Sequence, residues 1–361
     1  MTRHRSHGVQ LLLLAALIAF ACFYTRQAIA PISASAMTQD MPVTFLAVGD
    51  IMISRGVARA IDRANDPLAP FRRMDPIFRS TDFNFGNLES PISPNGNIIG
   101  KGLVFNARRR DVAGLREYNF QVLNIANNHA LDQGLAGLRN TRQVLADNGL
   151  TPLGAGDDLA DAWTPKITEV RGIKIGFVGA SYSSNNDNGA SRNDHVARIE
   201  DTERLRQAID ELKQVGTHFI VATMHAGTEY VRNPNASQIS FARSAIDLGA
   251  DVVIGTHPHW IQTIERYKGK LIFHSLGNFV FDQEWSQETK EGLALKITII
   301  PDNTAKQPAA TIEQVELIPV IIENYSTPRP ANEIESRVIL GKINENSRTI
   351  RPMSERVAGS Q

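Results

Sequence analysis

The sequence predicts an α/β protein in which two β-sheets lie between layers of helices. From about Met41 onward, short apolar runs alternate with amphipathic stretches, an order typical of a fold with a buried, largely parallel sheet. The later part of the chain contains extended runs without a helical period, which indicates a second, mostly antiparallel sheet packed on the first. No repeat and no low-complexity linker divides the sequence, so we expect one domain of roughly 300 residues.

Six apolar runs are predicted to be strands because they are short and are bounded by turn residues. They cover residues 43–49, 82–88, 120–127, 173–181, 218–224 and 251–256. Between them, apolar residues recur three and four positions apart, which predicts helices. These cover residues 55–64, 133–148, 202–215 and 236–248. Strands and helices therefore alternate, as a parallel sheet with crossover helices requires.

The chain changes character after residue 262. Gly269 forms a turn between two extended runs, and residues 292–300 and 311–322 alternate or run apolar without a helical period. We assign these runs to the second sheet. A last helix is predicted over residues 332–344, and the final "RPMSERVAGSQ" is expected to be mobile. The predicted units are residues 41–325 for the folded domain and 326–361 for a C-terminal helix with a mobile tail.

Residues 1–36 differ from the rest and predict export. A basic segment, "MTRHRSHGVQ", precedes 14 apolar residues, Leu11–Tyr24. That length is typical of a signal peptide and is shorter than the roughly 20 residues of a membrane span. Small residues ending at Ala30 or at Ala36 suit cleavage, and an uncleaved signal anchor over residues 9–24 is the alternative. We expect a periplasmic or extracytoplasmic body, with inner-membrane anchoring by residues 9–24 left open.

Composition excludes some classes of function. Lys plus Arg and Asp plus Glu both number 38, so net charge gives no argument for nucleic acid as a partner. Cys22 is the only cysteine and lies within the apolar N-terminal run. The exported body would therefore have neither a disulfide nor a thiolate-bound metal. Any metal must be bound by His, carboxylate and amide groups.

Polar side chains follow five of the predicted strands at the point where each strand ends. They are Asp50, Glu89, Asn127, Asn128, His129, His225, His257 and His259. Because open α/β sheets bind ligands at the carboxyl ends of their strands, we expect these groups to converge in one crevice. Four of the nine histidines occupy such positions, which favours a site over chance scatter.

Each residue also has a purely structural explanation when it is considered alone. Asp50 suits the N-cap of the following helix, and Asn128 with His129 suits the start of the next one. His225 is also interpretable as a buried structural histidine, and Glu89 as a solvated turn residue. The histidine pair in "GTHPHW" is compatible with an ordinary turn. The hypothesis of a site therefore depends on the edge that all of these residues share.

The chemistry of this set is that of a metal site. Carboxylate, amide and imidazole ligands without thiolate suit Zn, Mn or Fe. Glu89 has two oxygens with which to bridge two ions roughly 3.5–4 Å apart, and such ions lower the pKa of bound water toward about 7. His129, next to Asn128 but on the other side of the turn, is a candidate to protonate a leaving group. We therefore predict one or two divalent ions of unassigned identity.

Six ordered blocks carry a family resemblance. They are "GDIM", "GNLESPIS", "NNHALDQG", "MHAGTEY", "GTHPHWIQ" and "HSLGNFVFDQ", with "GKGLVFNA" between the second and the third. In this order they resemble the bacterial capsule-biosynthesis CapA-like family, the poly-γ-glutamate synthesis proteins, from about residue 43 to residue 319. That family is similar to the calcineurin-like metallophosphoesterases. The resemblance implies a four-layer α/β/β/α sandwich and a dinuclear metal site.

The resemblance also implies a role for each site residue. Metal binding falls to six residues, with Asp50 and His259 on the first ion, Glu89 as the bridge, and Asn128, His225 and His257 on the second ion. The catalytic acid would be His129. Metallophosphoesterases have a histidine where this chain has Met52, a poor ligand for a hard metal, and an aspartate where it has Glu89. A weak or empty first position is therefore expected, leaving a mononuclear centre.

Three further residues are candidates for substrate binding. Lys101 and Arg192 lie on two long polar loops and suit an anionic substrate, whereas His274 replaces a tyrosine of the family and has core packing as its alternative. We predict an exported, metal-dependent, phosphoesterase-like hydrolase of capsule or anionic exopolymer biosynthesis, acting on an anionic polymer or a phosphoester. The alternative is a non-catalytic, membrane-tethered accessory component of a polymer synthesis and export complex.

Overall fold

Residues 41–94, 103–182 and 194–346 are described by the computed structural model of the chain. The strands are β1 Val43–Ile51, β2 Phe83–Leu88, β3 Phe120–Asn124, β4 Thr151–Leu153, β5 Lys166–Val170, β6 Ile173–Ser181, β7 Phe219–His225, β8 Val252–Thr256, β9 Ile264–Tyr267, β10 Lys270–Phe273, β11 Asn278–Val280, β12 Glu291–Pro301, β13 Ala310–Glu323 and β14 Thr327–Pro330. The helices are α1 Arg55–Ala64, α2 Asp75–Phe78, α3 Ala113–Glu117, α4 Gly134–Asp147, α5 Leu159–Ala162, α6 Thr202–Gln214, α7 Ala236–Leu248 and α8 Glu333–Asn346.

The first sheet has the order β14-β13-β12-β1-β2-β3-β4, and β11 pairs with the end of β1. Strands β1 to β4 run parallel to one another. This was predicted for β1, β2 and β3, whereas the short strand β4 was not predicted. Strands β12, β13 and β14 extend this sheet in antiparallel pairs from the other side of β1. The sheet is therefore mixed, with its parallel half built by the N-terminal part of the chain.

The second sheet has the order β5-β6-β7-β8-β10-β9. Its four central strands are parallel, and the two edge strands β5 and β9 are antiparallel to their neighbours. Residues that read as continuous apolar runs, such as β7 and β8, are fully buried because both faces of these strands are covered.

Three buried apolar clusters lie between the four layers of helices and sheets. The first cluster packs the first sheet against α1 and α4, and the last packs the second sheet against α6 and α7. Between the sheets lies a cluster that includes Phe45, Phe83 and Phe177. Phe45 stacks on Phe83 with ring centres 5.2 Å apart, and Phe83 meets Phe177 of the other sheet edge to face at 6.2 Å. The predicted arrangement of two sheets between layers of helices is confirmed, and both sheets are mixed.

The predicted division of strands between the sheets was wrong. The antiparallel strands after residue 290 do not form the second sheet. They join the first sheet, because β12 pairs with β1 from Val43↔Ile299 to Ala47↔Leu295. The second sheet consists instead of residues 166–181, 219–225 and 252–273. Strand β14 and helix α8 follow residue 325 and pack on the same domain, since β14 pairs with β13 and Ile339 lies in the core.

The N-terminal predictions fall on residues 1–40, outside the described part of the chain. Signal cleavage and anchoring over residues 9–24 therefore stay predictions. Within residues 41–94, 103–182 and 194–346, no helix has the length and apolar character needed to cross a membrane.

Candidate metal centre

Strand ends from both sheets meet in one buried cluster of side chains. Asp50 lies near the end of β1 and Glu89 directly follows β2, both in the first sheet. His225 ends β7 and His257 follows β8, both in the second sheet. All four residues are buried. The crevice predicted at the carboxyl edge of one sheet is thus lined by two sheets.

Three of these side chains form a compact set of potential metal ligands. One atom from each of Asp50, Glu89 and His225 lies within 4.8 Å of the other two. His225 Nδ1 is 3.6 Å from Asp50 Oδ1, and His225 Nε2 is 3.8 Å from Glu89 Oε1. Two carboxylates and an imidazole, all shielded from water, suit a divalent cation.

Asn128 and His257 join this set through His225. The Nε2 atom of His225 lies 2.8 Å from Asn128 Oδ1 and 3.1 Å from His257 Nδ1. An amide oxygen and a second imidazole nitrogen therefore reach the point where Glu89 approaches His225. The structure places Glu89, Asn128 and His257 around the ring of His225, which is the set predicted for the second metal position.

His259 contacts Asp50 on the other side of the cluster. Its Nδ1 atom lies 3.5 Å from Asp50 Oδ2 and 2.9 Å from Asn278 Oδ1. The backbone N–H of His257 donates to the same oxygen of Asp50 at 3.1 Å. Asp50 therefore contacts both histidines of "HPH" and does not cap α1, whose N-cap residue is Ser54.

The carboxylate of Glu89 is fully buried and has no hydrogen-bond partner among the described residues on either oxygen. Burial raises the pKa of this carboxyl well above its ordinary value of 4.5, and the negative charge of Asp50 raises it further. Buried polar groups are otherwise almost always satisfied, and a bare buried carboxylate is costly. A cation between Glu89 and its neighbours would remove this cost, so the residues fit a divalent metal.

Burial favours the neutral form of two imidazoles of the cluster, His225 and His257. Burial lowers the pKa of His225, and burial together with the neighbouring His225 lowers the pKa of His257 well below its ordinary range. Burial alone would raise the pKa of the Asp50 carboxyl, but its contacts with His225 and His259 outweigh that effect and bring it below the usual range. Asp50, His225 and His257 therefore combine an ionised carboxylate with two neutral imidazoles, as metal ligands require.

The two ring nitrogens of His225 contact different partners. Nδ1 lies 3.1 Å from the hydroxyl of Thr256 and 3.1 Å from Nδ2 of Asn87, and Nε2 lies 2.8 Å from Oδ1 of Asn128. Because Asn87 Nδ2 only donates and Asn128 Oδ1 only accepts, these contacts favour the ring proton on Nε2, and a metal ion bound at Nε2 would replace that proton.

His129 lies beside this cluster and is held in place by contacts with Asp132 and Phe105. Its Nδ1 atom is 2.7 Å from Asp132 Oδ2, and its Nε2 atom is 3.8 Å from Glu89 Oε1. The ring stacks on Phe105, with centres 3.9 Å apart. Asp132 also accepts the backbone N–H of Phe105 at 2.6 Å, which fixes both residues. One nitrogen of His129 thus faces its carboxylate partner and the other faces the cluster.

Three asparagines connect the first-sheet strands at the site, namely Asn127 and two that sequence reasoning missed, Asn87 and Asn124. Asn87 Nδ2 donates to Asp50 Oδ1 at 2.8 Å, and Asn87 Oδ1 accepts from Asn124 Nδ2 at 2.9 Å. Asn127 Nδ2 donates to the carbonyl of Leu88 at 2.9 Å. These residues belong to "FGNLE" and "LNIANNH", where an asparagine inside an otherwise apolar strand was the available signal. They hold the strand ends in register.

The backbone of "GTHPHW" is itself unusual. His257 has φ 100° and His259 has φ 58°, which are left-handed values that non-glycine residues seldom adopt. Strained backbone of this kind is concentrated at functional sites. Gly255 permits the approach to the next strand, because a Cβ atom there would lie 2.1 Å from the carbonyl oxygen of His274.

Met52 is part of the apolar core. It is fully buried in the cluster that packs the first sheet against its helices. Its sulfur accepts from the hydroxyl and the backbone N–H of Ser54, at 3.0 Å and 3.2 Å. The expectation of a weakened first position is consistent with this placement, because the side chain that replaces a ligand is engaged elsewhere.

The structure does not bring His274 to the cluster. Its Nε2 atom lies 3.0 Å from Glu265 Oε2, and the residue is buried at the end of β10. This imidazole is buried and paired with a carboxylate of the neighbouring strand, as the alternative of core packing expects, and the substrate contact of His274 stays a prediction. Lys101 and Arg192 lie outside the described residues, so their roles stay predictions.

Comparison with known proteins identifies the family. Residues 44–283 match the bacterial capsule synthesis protein PGA_cap family. The chain belongs to this family. It is 34% identical to the PGA biosynthesis protein CapA of Bacillus subtilis over 76% of this chain and 73% of that protein. It is 30% identical to the capsule biosynthesis protein CapA of Bacillus anthracis over 80% and 71% of the two chains. The predicted resemblance is confirmed.

Two solved structures are similar to the chain. A Staphylococcus aureus protein described as a 5′-nucleotidase matches with a TM-score of 0.50 at 18% identity. The match covers 84% of this chain but only 58% of that one, so this capsule synthesis protein spans less than two thirds of its solved neighbour. A calcineurin-like phosphoesterase from Bacillus subtilis matches with a TM-score of 0.46 at 12% identity, over 85% of this chain and 98% of its own. The first of these matches, at a TM-score of 0.50, shows that the chain shares the fold of that solved protein.

Proposed function

We propose that this capsule synthesis protein is an exported, metal-dependent hydrolase of the phosphoesterase type that acts on an anionic polymer or a phosphoester. The observation that carries the proposal is the buried carboxylate of Glu89 beside Asp50 and His225, because neither of its oxygens has a hydrogen-bond partner in the part of the chain that the structure describes. An arrangement of this kind is costly unless a cation completes it. The B. subtilis relative is described as a PGA biosynthesis protein and the B. anthracis relative as a capsule biosynthesis protein, which supports a polymer substrate.

The ligands of the proposed metal come from both sheets. Glu89, Asn128, His225 and His257 would bind one ion, and Asp50 with His259 would bind a second ion bridged by Glu89. A divalent ion in such a site supplies Lewis-acid chemistry, because it polarises a substrate oxygen and makes a bound water more acidic. Mn, Zn and Fe all suit these ligands.

His129 would serve as the proton donor to the leaving group. Asp132, 2.7 Å away, accepts from Nδ1 and would stabilise the imidazolium form. That contact orients the ring so that Nε2 faces the cluster, 3.8 Å from Glu89 Oε1. Stacking on Phe105 restricts rotation of the ring. His129 would therefore deliver a proton from Nε2 to a substrate atom held beside Glu89.

Export and location follow from the N-terminal sequence. The basic segment and the 14 apolar residues that follow it support transport across the membrane, either as a cleaved signal or as an anchor over residues 9–24. A periplasmic or extracytoplasmic body would meet a capsule polymer where that polymer is assembled or released.

Elemental analysis combined with a substrate panel tests this function. The wild-type chain is expected to contain about one or two divalent ions per molecule and to cleave a phosphoester or a γ-glutamyl substrate. His225→Ala is expected to lose both properties. His218→Gln is the matched control, because His218 immediately precedes β7 and His225 ends it. Wild-type protein without stoichiometric metal, or His225→Ala with full activity, would contradict the proposal.

A second candidate is a non-catalytic accessory role in a membrane-tethered polymer synthesis and export complex. Met52 favours the accessory role, because it lies where metallophosphoesterases have a metal-binding histidine and its side chain is buried in the apolar core. Complementation decides between the two roles. A His225→Ala, His257→Ala double variant that restores polymer production in cells lacking the protein would support the accessory role. Failure to restore production, with normal protein levels, would support catalysis.

A further inference from the structure

Arg55 has a backbone conformation that calls for an explanation. It is the first residue of α1, and its φ is 48°, in the left-handed region. A long side chain seldom occupies this region, because its Cβ crowds the backbone. Residues held in such conformations cluster at binding and catalytic sites.

The side chain of Arg55 reaches the immediate surroundings of His129. Its guanidinium carbon lies 5.4 Å from the ring centre of Phe105, and that ring is stacked at 3.9 Å on His129. The guanidinium carbon and the imidazole centre are therefore no farther apart than the sum of these two distances. A cation close to an aromatic ring is attracted to it, so Phe105 restrains the guanidinium beside the proposed proton donor.

Asp282 forms an ion pair with the guanidinium of Arg55 but accepts no well-aligned hydrogen bond from it. Arg55 Nη2 lies 3.1 Å from Asp282 Oδ1 as an ion pair, yet that oxygen makes no aligned hydrogen bond to a described residue. The other oxygen of Asp282 accepts the backbone N–H of Gly56 at 2.8 Å. Gly56 allows this approach, because a Cβ atom there would lie 2.7 Å from that oxygen. Asp282 is thus fixed by the backbone.

Arg55 is accessible to a ligand while its partner is not. Its side chain is 34% exposed, and that of Asp282 is 5% exposed. Guanidinium donors form a planar fork that matches the two oxygens of a carboxylate or a phosphate. The adjacent cluster contains the ionised carboxylate of Asp50, which repels anions unless a cation faces it. A substrate with acidic groups therefore needs a positive contact at this place.

We propose that Arg55 binds an oxyanion of the substrate, a carboxylate or a phosphate, next to the group on which His129 acts. The inference rests on the proposed hydrolytic function and names the substrate chemistry of the same site. Arg55 would orient the substrate by pairing with its acidic group, while Phe105 and Asp282 keep the guanidinium in place. Lys101 and Arg192 were the anion-binding candidates from the sequence, and Arg55 is an additional one.

Binding of two probes to the full chain tests this role. Isothermal titration calorimetry would measure the Kd for inorganic phosphate and for γ-linked triglutamate, with and without Mn²⁺. Loss of one charged hydrogen-bonding contact corresponds to about 10- to 100-fold weaker binding. We expect Arg55→Gln to raise the Kd of at least one probe by that factor. Arg59→Gln, an exposed position on the same helix, is expected to leave both values unchanged.

The outcome also identifies the group that is bound. A selective loss for phosphate points to a phosphoester, a selective loss for triglutamate points to a carboxylate, and a loss for both supports a general oxyanion contact. Unchanged Kd values in Arg55→Gln, or wild-type protein that binds neither probe, would overturn the inference. If Arg55→Gln does not fold, the Kd values of Arg55→Lys are measured instead, because lysine keeps the positive charge but lacks the paired donors of a guanidinium. Unchanged Kd values in Arg55→Lys would count against the proposal. Metal content is measured separately, so a metal-free wild type would contradict the hydrolase function alone.

Discussion

Replacement of Glu89 by Gln separates the cost of a buried carboxylate from its benefit as a metal ligand. The folded-state pKa of Glu89 lies well above 4.5 because of burial and the nearby Asp50. The folded protein therefore holds this proton to a higher pH than the unfolded chain does. Its free energy of unfolding in the absence of metal should fall as the pH rises from about 4.5 through the folded-state pKa. Glu89→Gln has no such proton to lose.

The expected change in stability follows from the lack of hydrogen-bond partners for Glu89 among the described residues. An ionised carboxylate buried without compensation costs several kcal/mol, about 1.4 kcal/mol for each pKa unit of displacement. A neutral amide in the same place costs about 1–3 kcal/mol. We therefore expect metal-free Glu89→Gln to be more stable than metal-free wild type at pH 8 by about 1–3 kcal/mol, or about 2–8 °C in Tm. The difference should shrink toward pH 5.

Thermal unfolding with and without Mn²⁺ is the assay. Wild type should gain about 2.7 kcal/mol at a metal concentration 100 times the Kd, and Glu89→Gln should lose most of that gain. Glu291→Gln is the control, because Glu291 is also buried but has Lys342 Nζ at 2.8 Å and 2.7 Å from its two oxygens. That variant should lower the stability instead. A lower metal-free Tm for Glu89→Gln, or an undiminished response to Mn²⁺, would refute the reasoning.

Three other variants test separate parts of the structure. With unchanged metal content, Asp132→Asn should lower the turnover number on any substrate that the wild type cleaves by about 10²- to 10⁴-fold, because His129 loses the partner that stabilises its charged form. Normal turnover would count against this role. Met52→His should lower the free energy of unfolding, measured in urea, by about 1–3 kcal/mol without adding a metal ion, because it buries an imidazole in apolar core. A gain of one ion by elemental analysis would contradict this expectation. Gly49→Ala should lower the free energy of unfolding by at least about 1–3 kcal/mol in the same urea titration, since its Cβ would lie 1.9 Å from the carbonyl oxygen of Gly277. Wild-type stability would contradict that contact.

Local sequence was sufficient for most of the elements that position the site. Helices α1 and α7 begin and end where predicted, because their ends are set by neighbouring residues. In α7, Asn235 Oδ1 accepts from the backbone N–H of Gln238 and Gln238 Oε1 accepts from that of Asn235, both at 3.0 Å. Gly249, with φ 117°, ends the helix. The strand-end positions of the polar residues were likewise readable, since each apolar run stops at its polar group.

The pairing of strands was less accessible, because it depends on contacts between distant parts of the chain. Nothing near residues 291–301 indicates that β12 lies beside β1, so the antiparallel strands were assigned to the wrong sheet. The same limit applies to His274, whose partner Glu265 is set by the register of β9 with β10. Arg55 was passed over because a left-handed backbone at an arginine leaves no mark in the sequence pattern.

The central claim is that Glu89 and the histidines of both sheets bind a divalent cation together. Anomalous diffraction at the Mn absorption edge, on crystals of the protein grown with Mn²⁺, tests it most directly. We expect a peak within about 2.0–2.3 Å of Glu89 and His225, with Asn128 and His257 completing its ligands, and a weaker peak or none between Asp50 and His259. A fully loaded crystal with no peak beside Glu89, or with its peak only at surface carboxylates, would contradict the account.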